Sequence, residues 1–301
     1  MVYNSKKIFI EASGSMVSGY LIKAIKESGN ICVASDIDDF NHSKCLADEF
    51  VLMPKSSEPN LWDKIEKILL KNKIDIVIPS FDETLLGWAE KKEYFLKKGV
   101  HIIISDINTI KIFTDKYEAF LFCKSIGILT PNTSLSQDYL LVKPRSGRGG
   151  KGIYIGTESI NMQNMISQEF IKGKEFTVDC FFDRSGKPIY IIPRLRINVK
   201  DGKSTKGIVV KHKKIEMYIK KISENARFYG PVNFQFIEDK NKQVFFIECN
   251  PRIAGGMALG FAASENWINL IIKNFINKEK IIAKNIKYGL KMVRYYNECF
   301  I

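Results

Sequence analysis

The sequence predicts an α/β protein: a parallel, doubly wound sheet over the first hundred residues, then a larger α+β region. Three observations predict it. Short apolar runs alternate with amphipathic helical stretches from residue 7 to residue 104; a Gly-rich loop sits between two short strands at 141–155; and a hairpin at 232–248 leads into Glu248-Cys249-Asn250-Pro251-Arg252. Alternating β and α units imply parallel strands joined by crossover helices.

The chain has 301 residues, 45% hydrophobic and 26% charged, an ordinary globular composition long enough for two or three modules. Its formal charge of +13 would suit a polyanion. The lysines are spread along the chain, however, on what read as outer helix faces (Lys64, Lys67, Lys71; Lys91, Lys92, Lys97, Lys98). A solvated surface is the expectation, with no nucleic-acid partner, and the positive field favours a phosphate-bearing small substrate. The six cysteines form no CxxC pair, and His42, His101 and His212 do not cluster with them. That argues against a disulfide framework or a zinc site and for a reducing compartment. No signal-peptide core and no apolar run of membrane-spanning length is present, so a cytoplasmic protein without a membrane partner is expected.

In the first hundred residues, strands are expected at 7–11, 31–34, 49–52, 74–78 and 100–104, with helical stretches at 17–27, 62–70 and 85–95. Ligands of such sheets sit beyond the carboxyl ends of the strands. There, Ser13, Gly14 and Ser15 follow the first strand, and Pro79 to Glu83 follow the fourth. The first of these loops lacks GxGxxG, so no dinucleotide site is expected. Asp82 and Glu83 either bind a substrate amine or open the next helix, whose first turn suits acidic residues.

A helix is expected at 114–125, with Thr114 and Asp115 as capping candidates and Lys116 in its first turn. A lysine there opposes the helix dipole and calls for an anion nearby. The stretch LVKPRSGRGGKG at 141–152 places Lys143, Arg145, Arg148 and Lys151 among Gly147, Gly149, Gly150 and Gly152. Glycines let successive backbone N–H groups form a nest for phosphate oxygens. The loop matches GxGxxG in letters, but 153–155 continue as a strand, so it would cover phosphates rather than open a dinucleotide-binding helix. A Walker A motif is absent, and no HRD or DFG pair accompanies the loop.

Over 168–183 a strand pauses at 172–174 and alternates again from Glu175. A strand edge at 169–171 would complement the edge of adenine, and Glu175 would accept from ribose hydroxyls. In the last block, strands at 232–237 and 243–248 flank a turn at 239–242 and bring Gln235, Glu248 and Asn250 to one end. These are oxygen donors of the kind magnesium takes. Glu248, in VFFIE, is costly to bury without a cation, and an ion pair with Arg252 is the structural alternative.

Lys116, Lys143 with the Gly-rich loop, the run from Gln168 to Glu175, and Gln235 followed by Glu248-Cys249-Asn250-Pro251-Arg252 together resemble the ATP-grasp superfamily. The likeness is to the carbamoyl-phosphate-synthase-like branch with its stand-alone amino-acid ligases. It implies a Rossmann-like pre-ATP-grasp domain at 1–112, a small lobe at 113–170 and a C-terminal lobe at 171–301. It implies ATP and Mg²⁺, with Mn²⁺ as a substitute. Lys116 and Lys143 would contact phosphates, and Arg145, Ser146, Gly147, Gly149, Gly150 and Gly152 would cover them. Gln168, Glu169, Phe170 and Ile171 would meet adenine, and Glu175 ribose. Gln235, Glu248 and Asn250 would bind metal, the first being Gln where many members carry an acid. Arg252, Arg194 and Lys143 would stabilise the transferring group, and Ser13, Asp82, Glu83, Arg196, Arg252, Gly255 and Gly256 would face the substrates. The stretch 203–207 would be a mobile loop, and only 154–167 is left for a lid helix, which must be short.

The activity so implied is ligation of a small-molecule carboxylate to an amine through an acyl phosphate, releasing ADP and phosphate. A phosphotransferase sharing the nucleotide residues, or a non-enzymatic polyanion-binding protein, are the alternatives. Carbamoyl phosphate synthesis by this chain alone is not expected, because it carries one such unit without an internal repeat. Dimers are common among similar proteins. An amphipathic helix is expected at 267–275, and 288–301 has no assigned role beyond packing.

Overall fold

The computed structural model describes residues 5–15, 18–150, 152–200 and 203–300. Val17 and Lys151, placed above in a helix and in the Gly-rich loop, lie outside them.

The first unit runs β1 (Lys7–Ile10), α1 (Gly19–Glu27), β2 (Ile31–Asp36), α2 (Ser43–Leu46), β3 (Glu49–Leu52), α3 (Leu61–Lys71), β4 (Ile76–Ile78), α4 (Leu85–Lys97) and β5 (His101–Ile102). Its five strands lie in the order β3-β2-β1-β4-β5, all parallel, as the alternation predicts. Strands buried on both faces read as continuous apolar runs, and KIFI and IVI are such runs. Successive side chains point to opposite faces. Phe9, Val33 and Val77 therefore pack with Ile65 and Leu69 of α3 and Trp88 and Phe95 of α4. Ile8, Ile10, Cys32, Ala34, Ile76 and Ile78 meet α1 and, through it, residues of the second half of the chain. The order of strands reverses at β1, so the crevice between the ends of β1 and β4 is the position for a ligand. Glu11 and a 3₁₀ turn, Asp82–Thr84, occupy it.

Two helices follow, α5 (Ile107–Thr114) and α6 (Lys116–Ser125), where one had been expected from residue 114. Thr114 is the last residue of α5 and not a cap. Asp115, extended between them, caps α6 by accepting from the backbone N–H groups of Tyr117 and Glu118.

A small antiparallel sheet, β6-β9-β7-β8, is built from β6 (Thr133–Ser134), β7 (Leu141–Pro144), β8 (Tyr154–Ile155) and β9 (Met165–Gln168). No lid helix lies between β8 and β9. Residues 156–164 are bends and turns held by the side chain of Gln137, which donates to Glu158 O (2.6 Å) and accepts from Ile160 N–H (2.8 Å). The strand also ends at Gln168, so residues 169–171 are irregular and not a strand edge.

The large sheet is antiparallel in the order β14-β13-β10-β11-β12-β15. It comprises β10 (Gly173–Phe182), β11 (Pro188–Lys200), β12 (Lys203–Val209), β13 (Gly230–Asp239), β14 (Val244–Asn250) and β15 (Lys291–Val293). The stretch 203–207 is thus strand, not loop: β12 is paired on one side by β11 and on the other by β15. One face of the sheet, with Val178, Cys180, Phe234 and Phe236, packs under α7 (Lys213–Asn225), α5 and α6. The other, with Phe181, Tyr190 and Ile192, packs against α8 (Ala258–Ala263), α9 (Trp267–Ile271) and the first unit. The predicted helix at 267–275 is α9 followed by a π-helical turn, Ile272–Ile276, with Trp267, Ile268, Leu270 and Ile271 all buried. No helix among the described residues is long and apolar enough to cross a membrane.

Candidate active site

Lys143 lies on β7 between β8 and β9 and is buried, with its Nζ donating to Gln168 Oε1 at 2.7 Å. Gln168, equally buried on β9, is held by donating through Nε2 to Thr133 Oγ1 at 2.8 Å. Burial lowers the Lys143 pKa to about 8; Glu248 opposes that shift and Lys116 adds to it.

The Gly-rich loop is tied to the start of α6. Lys116 N–H donates to Arg145 O at 2.8 Å and Lys116 Nζ to Gly147 O at 3.0 Å. Arg145 itself turns away from the loop and grips Asp115, with Nε 3.0 Å and Nη2 2.6 Å from Oδ2. Gly152 has φ +72°, and a Cβ there would meet the Pro144 ring at 3.1 Å, so only glycine returns the chain at this point. At the loop tip, Arg148 is ion-paired with Glu83, lies 3.6 Å from Asp82 and stacks over Phe81, 4.2 Å from the ring centre.

Opposite the loop is the end of the β13–β14 hairpin, where Gln235 pairs with Glu248 and Asn233 with Asn250. Gln235 Nε2 donates to Glu248 Oε1 at 2.5 Å, and its Oε1 accepts from Arg196 Nη1 at 3.4 Å. Arg196 also reaches Glu175, near the start of β10, at 3.1 Å, and the Glu175 side chain stays half exposed. Arg194 is committed elsewhere: it and Asp179 are buried, with Nε 2.6 Å from Oδ2 and Nη2 3.0 Å from Oδ1, and Asn233 Nδ2 donates to the same carboxylate at 2.9 Å. The guanidinium packs so closely on Gly256 that any side chain there would collide with it.

Arg252 makes no ion pair with Glu248. Its guanidinium meets Asp82 instead, Nε to Oδ1 at 2.8 Å and Nη2 to Oδ2 at 2.5 Å, with Asn250 Oδ1 3.3 Å from Nη2. Asp82 is placed by Glu11, which the sequence reading passed over. This buried carboxylate accepts from Trp88 Nε1 (2.8 Å), Thr84 Oγ1 (3.0 Å) and Ser80 N–H (3.3 Å), fixing the turn that carries Asp82. Burial raises Glu11 to about 7 against those donors. A lone acid closing the apolar strand KIFIE was the signal for it. Ser13 is also buried, donating to Ser35 O at 2.8 Å, and is used up within the first unit.

Between loop and hairpin lies a cleft of about 90 Å³ bounded by Asp82, Glu83, Lys116, Gly147, Glu248 and Asn250. Ligand pockets run to roughly 300–1,000 Å³, so a nucleotide requires the loop to lift. The chemistry of the donors fits one hard cation shared with phosphate: Glu248 supplies a carboxylate, Asn250 an amide oxygen, and Gln235 a second amide oxygen once its amide turns over. Among the described residues no cluster of three His, Cys, Asp or Glu side chains could hold a metal alone. Glu169 N–H donates to Asn132 O at 2.8 Å, just before β6, and Phe170 after it is half exposed.

Comparison with known proteins gives the architecture its relatives. Residues 161–298 match the family model described as ATP-grasp in the biosynthetic pathway with Ter operon, and residues 8–103 match the PylC-like N-terminal domain. The chain is 24% identical over 285 residues to the uncharacterized protein MG011 of Mycoplasma genitalium, covering 86% of this chain and 96% of that one. It is 20% identical over 177 residues to a carbamoyl-phosphate synthase of Methanobrevibacter smithii, covering 52% of this chain and 47% of that one. Among solved structures, N5-carboxyaminoimidazole synthetase of Staphylococcus aureus complexed with ADP superposes with a TM-score of 0.74 at 17% identity, over 96% of this chain and 82% of that one. An L-amino acid ligase of Bacillus licheniformis superposes with a TM-score of 0.69 at 17% identity, over 90% and 74%. The fold is that of the ATP-grasp proteins.

Proposed function

Taking the ATP-grasp fold as premise, we propose that this chain is an ATP-dependent carboxylate–amine ligase. The observation that carries the reading is convergence on one cleft. Lys116 and the Gly-rich loop approach from one side, and Glu248, Asn250 and Arg252 from the other.

The two lysines and the loop's backbone N–H groups would hold the polyphosphate. The irregular stretch 169–171 would take adenine, and Glu175 would take ribose after parting from Arg196. Bound ATP would supply the phosphoryl group and magnesium would offset its charge. Glu248 would hold the metal, with Asn250 and the turned amide of Gln235. Arg252, already set in a two-point grip, would hold the substrate carboxylate in line and steady the acyl phosphate until an amine takes it. Arg194 acts one step back: fully engaged by Asp179, it props the Gly255–Gly256 backbone rather than touching reacting atoms. Cys249 lines the cleft, but burial holds its pKa well above that of a free thiol, so it is not a nucleophile.

The test is release of ADP and phosphate from ATP with magnesium across a matrix of carboxylates and amines. Product that requires both an acid and an amine supports the ligase. A stable phosphorylated product from one acceptor alone overturns it in favour of a phosphotransferase.

A further inference from the structure

Cys45 and Cys299 are far apart in sequence and meet on the surface. Cys45, in α2, is exposed and Cys299 is partly exposed. Cys45 Sγ lies 3.6 Å from the carbonyl oxygen of Phe300, the residue next to Cys299, so the two cysteines are neighbours on the surface. The other four cysteines, Cys32, Cys123, Cys180 and Cys249, are buried. Burial pushes Cys32 up to about 12 and Cys123, Cys180 and Cys249 upward as well, so none of them offers a thiolate. Of the six cysteines, the surface presents one neighbouring pair.

We propose that Cys45 and Cys299 are a reversible disulfide site that ties the segment 294–300 to the first unit. A disulfide needs Cβ atoms roughly 3.5–4.5 Å apart with a torsion near 90°. Cysteines this close, with one of them beside the carbonyl of the other's neighbour, reach that geometry by side-chain rotation and a backbone shift of the segment. The segment can make the shift, since Tyr295, Tyr296 and Phe300 are 85%, 75% and 92% exposed and hold it in no core. The oxidant is a low-molecular-weight disulfide. The Cys45 thiolate attacks one of its sulfurs, forming a mixed disulfide and expelling one small thiolate. The Cys299 thiolate then attacks the Cys45 sulfur, forming the internal S–S bond and expelling the second. The two protons of the cysteine thiols end on the two small thiols, so one small disulfide is reduced as the pair is oxidised.

The link has a structural destination. Arg294 donates to Ser204 O at 3.0 Å and to Gly255 O at 2.7 Å. Oxidation would therefore fix, at both ends, the few residues between the glycine pair and α2.

The experiment equilibrates the full chain with mixtures of reduced and oxidised glutathione, quenches with acid, unfolds and alkylates it, and counts free thiols by intact mass. Six adducts are expected for the reduced chain and four for the oxidised one, with a peptide map joining Cys45 to Cys299. Cys45→Ser and Cys299→Ser should each abolish the link and leave the remaining surface thiol as a glutathione adduct. Glutathione retained on wild-type Cys45 without closure, a link between any other pair, or six free thiols in fully oxidised glutathione would each overturn the proposal. The readout does not depend on catalysis, so failure of the ligase assignment leaves it intact.

Discussion

Asp82 and Arg252 stand 170 positions apart in the chain and meet in a two-point ion pair, with both side chains largely buried. The acid belongs to the turn after β4 and the base to the segment after β14. The pair joins the first unit to the candidate active site, and it sets the orientation of the guanidinium before any substrate arrives. A planar fork against a carboxylate fixes direction as well as distance.

Asp82→Ala should therefore lower kcat more than it raises KM. A displaced Arg252 costs about 10- to 100-fold in rate, as misplacement of a positioning group by about an ångström does. Steady-state ADP release would show it, and Asp82→Glu should recover part of the loss. An unchanged kcat in the alanine variant would remove Arg252 positioning from the account.

Arg148 and Glu83 hold the Gly-rich loop down, but both are substantially exposed. Exposed ion pairs contribute only about 0–1 kcal/mol, so Glu83→Gln should speed nucleotide association by no more than about fivefold. Stopped-flow fluorescence with a labelled ATP would measure it. A slower association would mean that Glu83 assists entry and does not bar it.

Lys143 carries a pH signature. Its folded pKa, near 8, lies below the ordinary 10.5, so between those values the unfolded chain binds the extra proton. The contribution of Lys143 to stability accordingly rises from about pH 8 to about pH 10.5, by on the order of 3 kcal/mol in the nucleotide-free chain. Nucleotide affinity should move the other way, weakening as the ammonium is lost above pH 8. Comparing unfolding and ADP binding of wild type and Lys143→Met against pH isolates both trends.

Glu11 behaves in the opposite sense. Its folded pKa, near 7, exceeds the ordinary 4.5, so between these values the folded chain holds the proton and stability falls as pH rises. Glu11→Ala leaves Trp88, Thr84 and Ser80 without their acceptor, a loss of about 2–4 kcal/mol. The difference from wild type should be largest near pH 5 and shrink as pH rises through 7, which urea unfolding at several pH values would reveal.

Glu248→Ala should abolish turnover and leave the melting temperature within a few degrees, since the carboxylate is hydrogen-bonded to the side chain of Gln235 and not to the backbone of the core. Retained ATP-dependent product formation would withdraw Glu248 from metal binding.

The residues legible in the sequence were those whose chemistry shows within a few positions. Lys143 before the glycines and Glu248 at the end of VFFIE both fall where the local pattern places them. Arg252 was legible as a cation but its partner was not, because the return from the β14 end to the β4 turn is made by the fold and by no local signal. Arg194 was read as stabilising the transferring group, and its engagement by Asp179 was hidden because that acid reaches it only through the β10–β11 pairing. The stretch 203–207 was expected to be a mobile loop because the family resemblance implies one there. Pairing with β11 on one side and β15 on the other makes it strand, and sheet order is invisible to local sequence. The lid helix failed for a local reason: GTESINMQN is a run of turn-forming residues, and Gln137 satisfies the backbone that a helix would have satisfied.

The bare small sheet has a thermodynamic consequence. Its strands are two to four residues long, and its buried apolar side chains, Val142 and Ile166, join none of the three hydrophobic clusters. A short sheet with so little apolar support opens locally at small cost. Nucleotide binding would then be coupled to ordering of the lobe, with a favourable enthalpy offset by lost entropy. Affinity would fall steeply on warming, and amide protons of residues 141–150 and 152–168 would exchange faster before ADP is added than after.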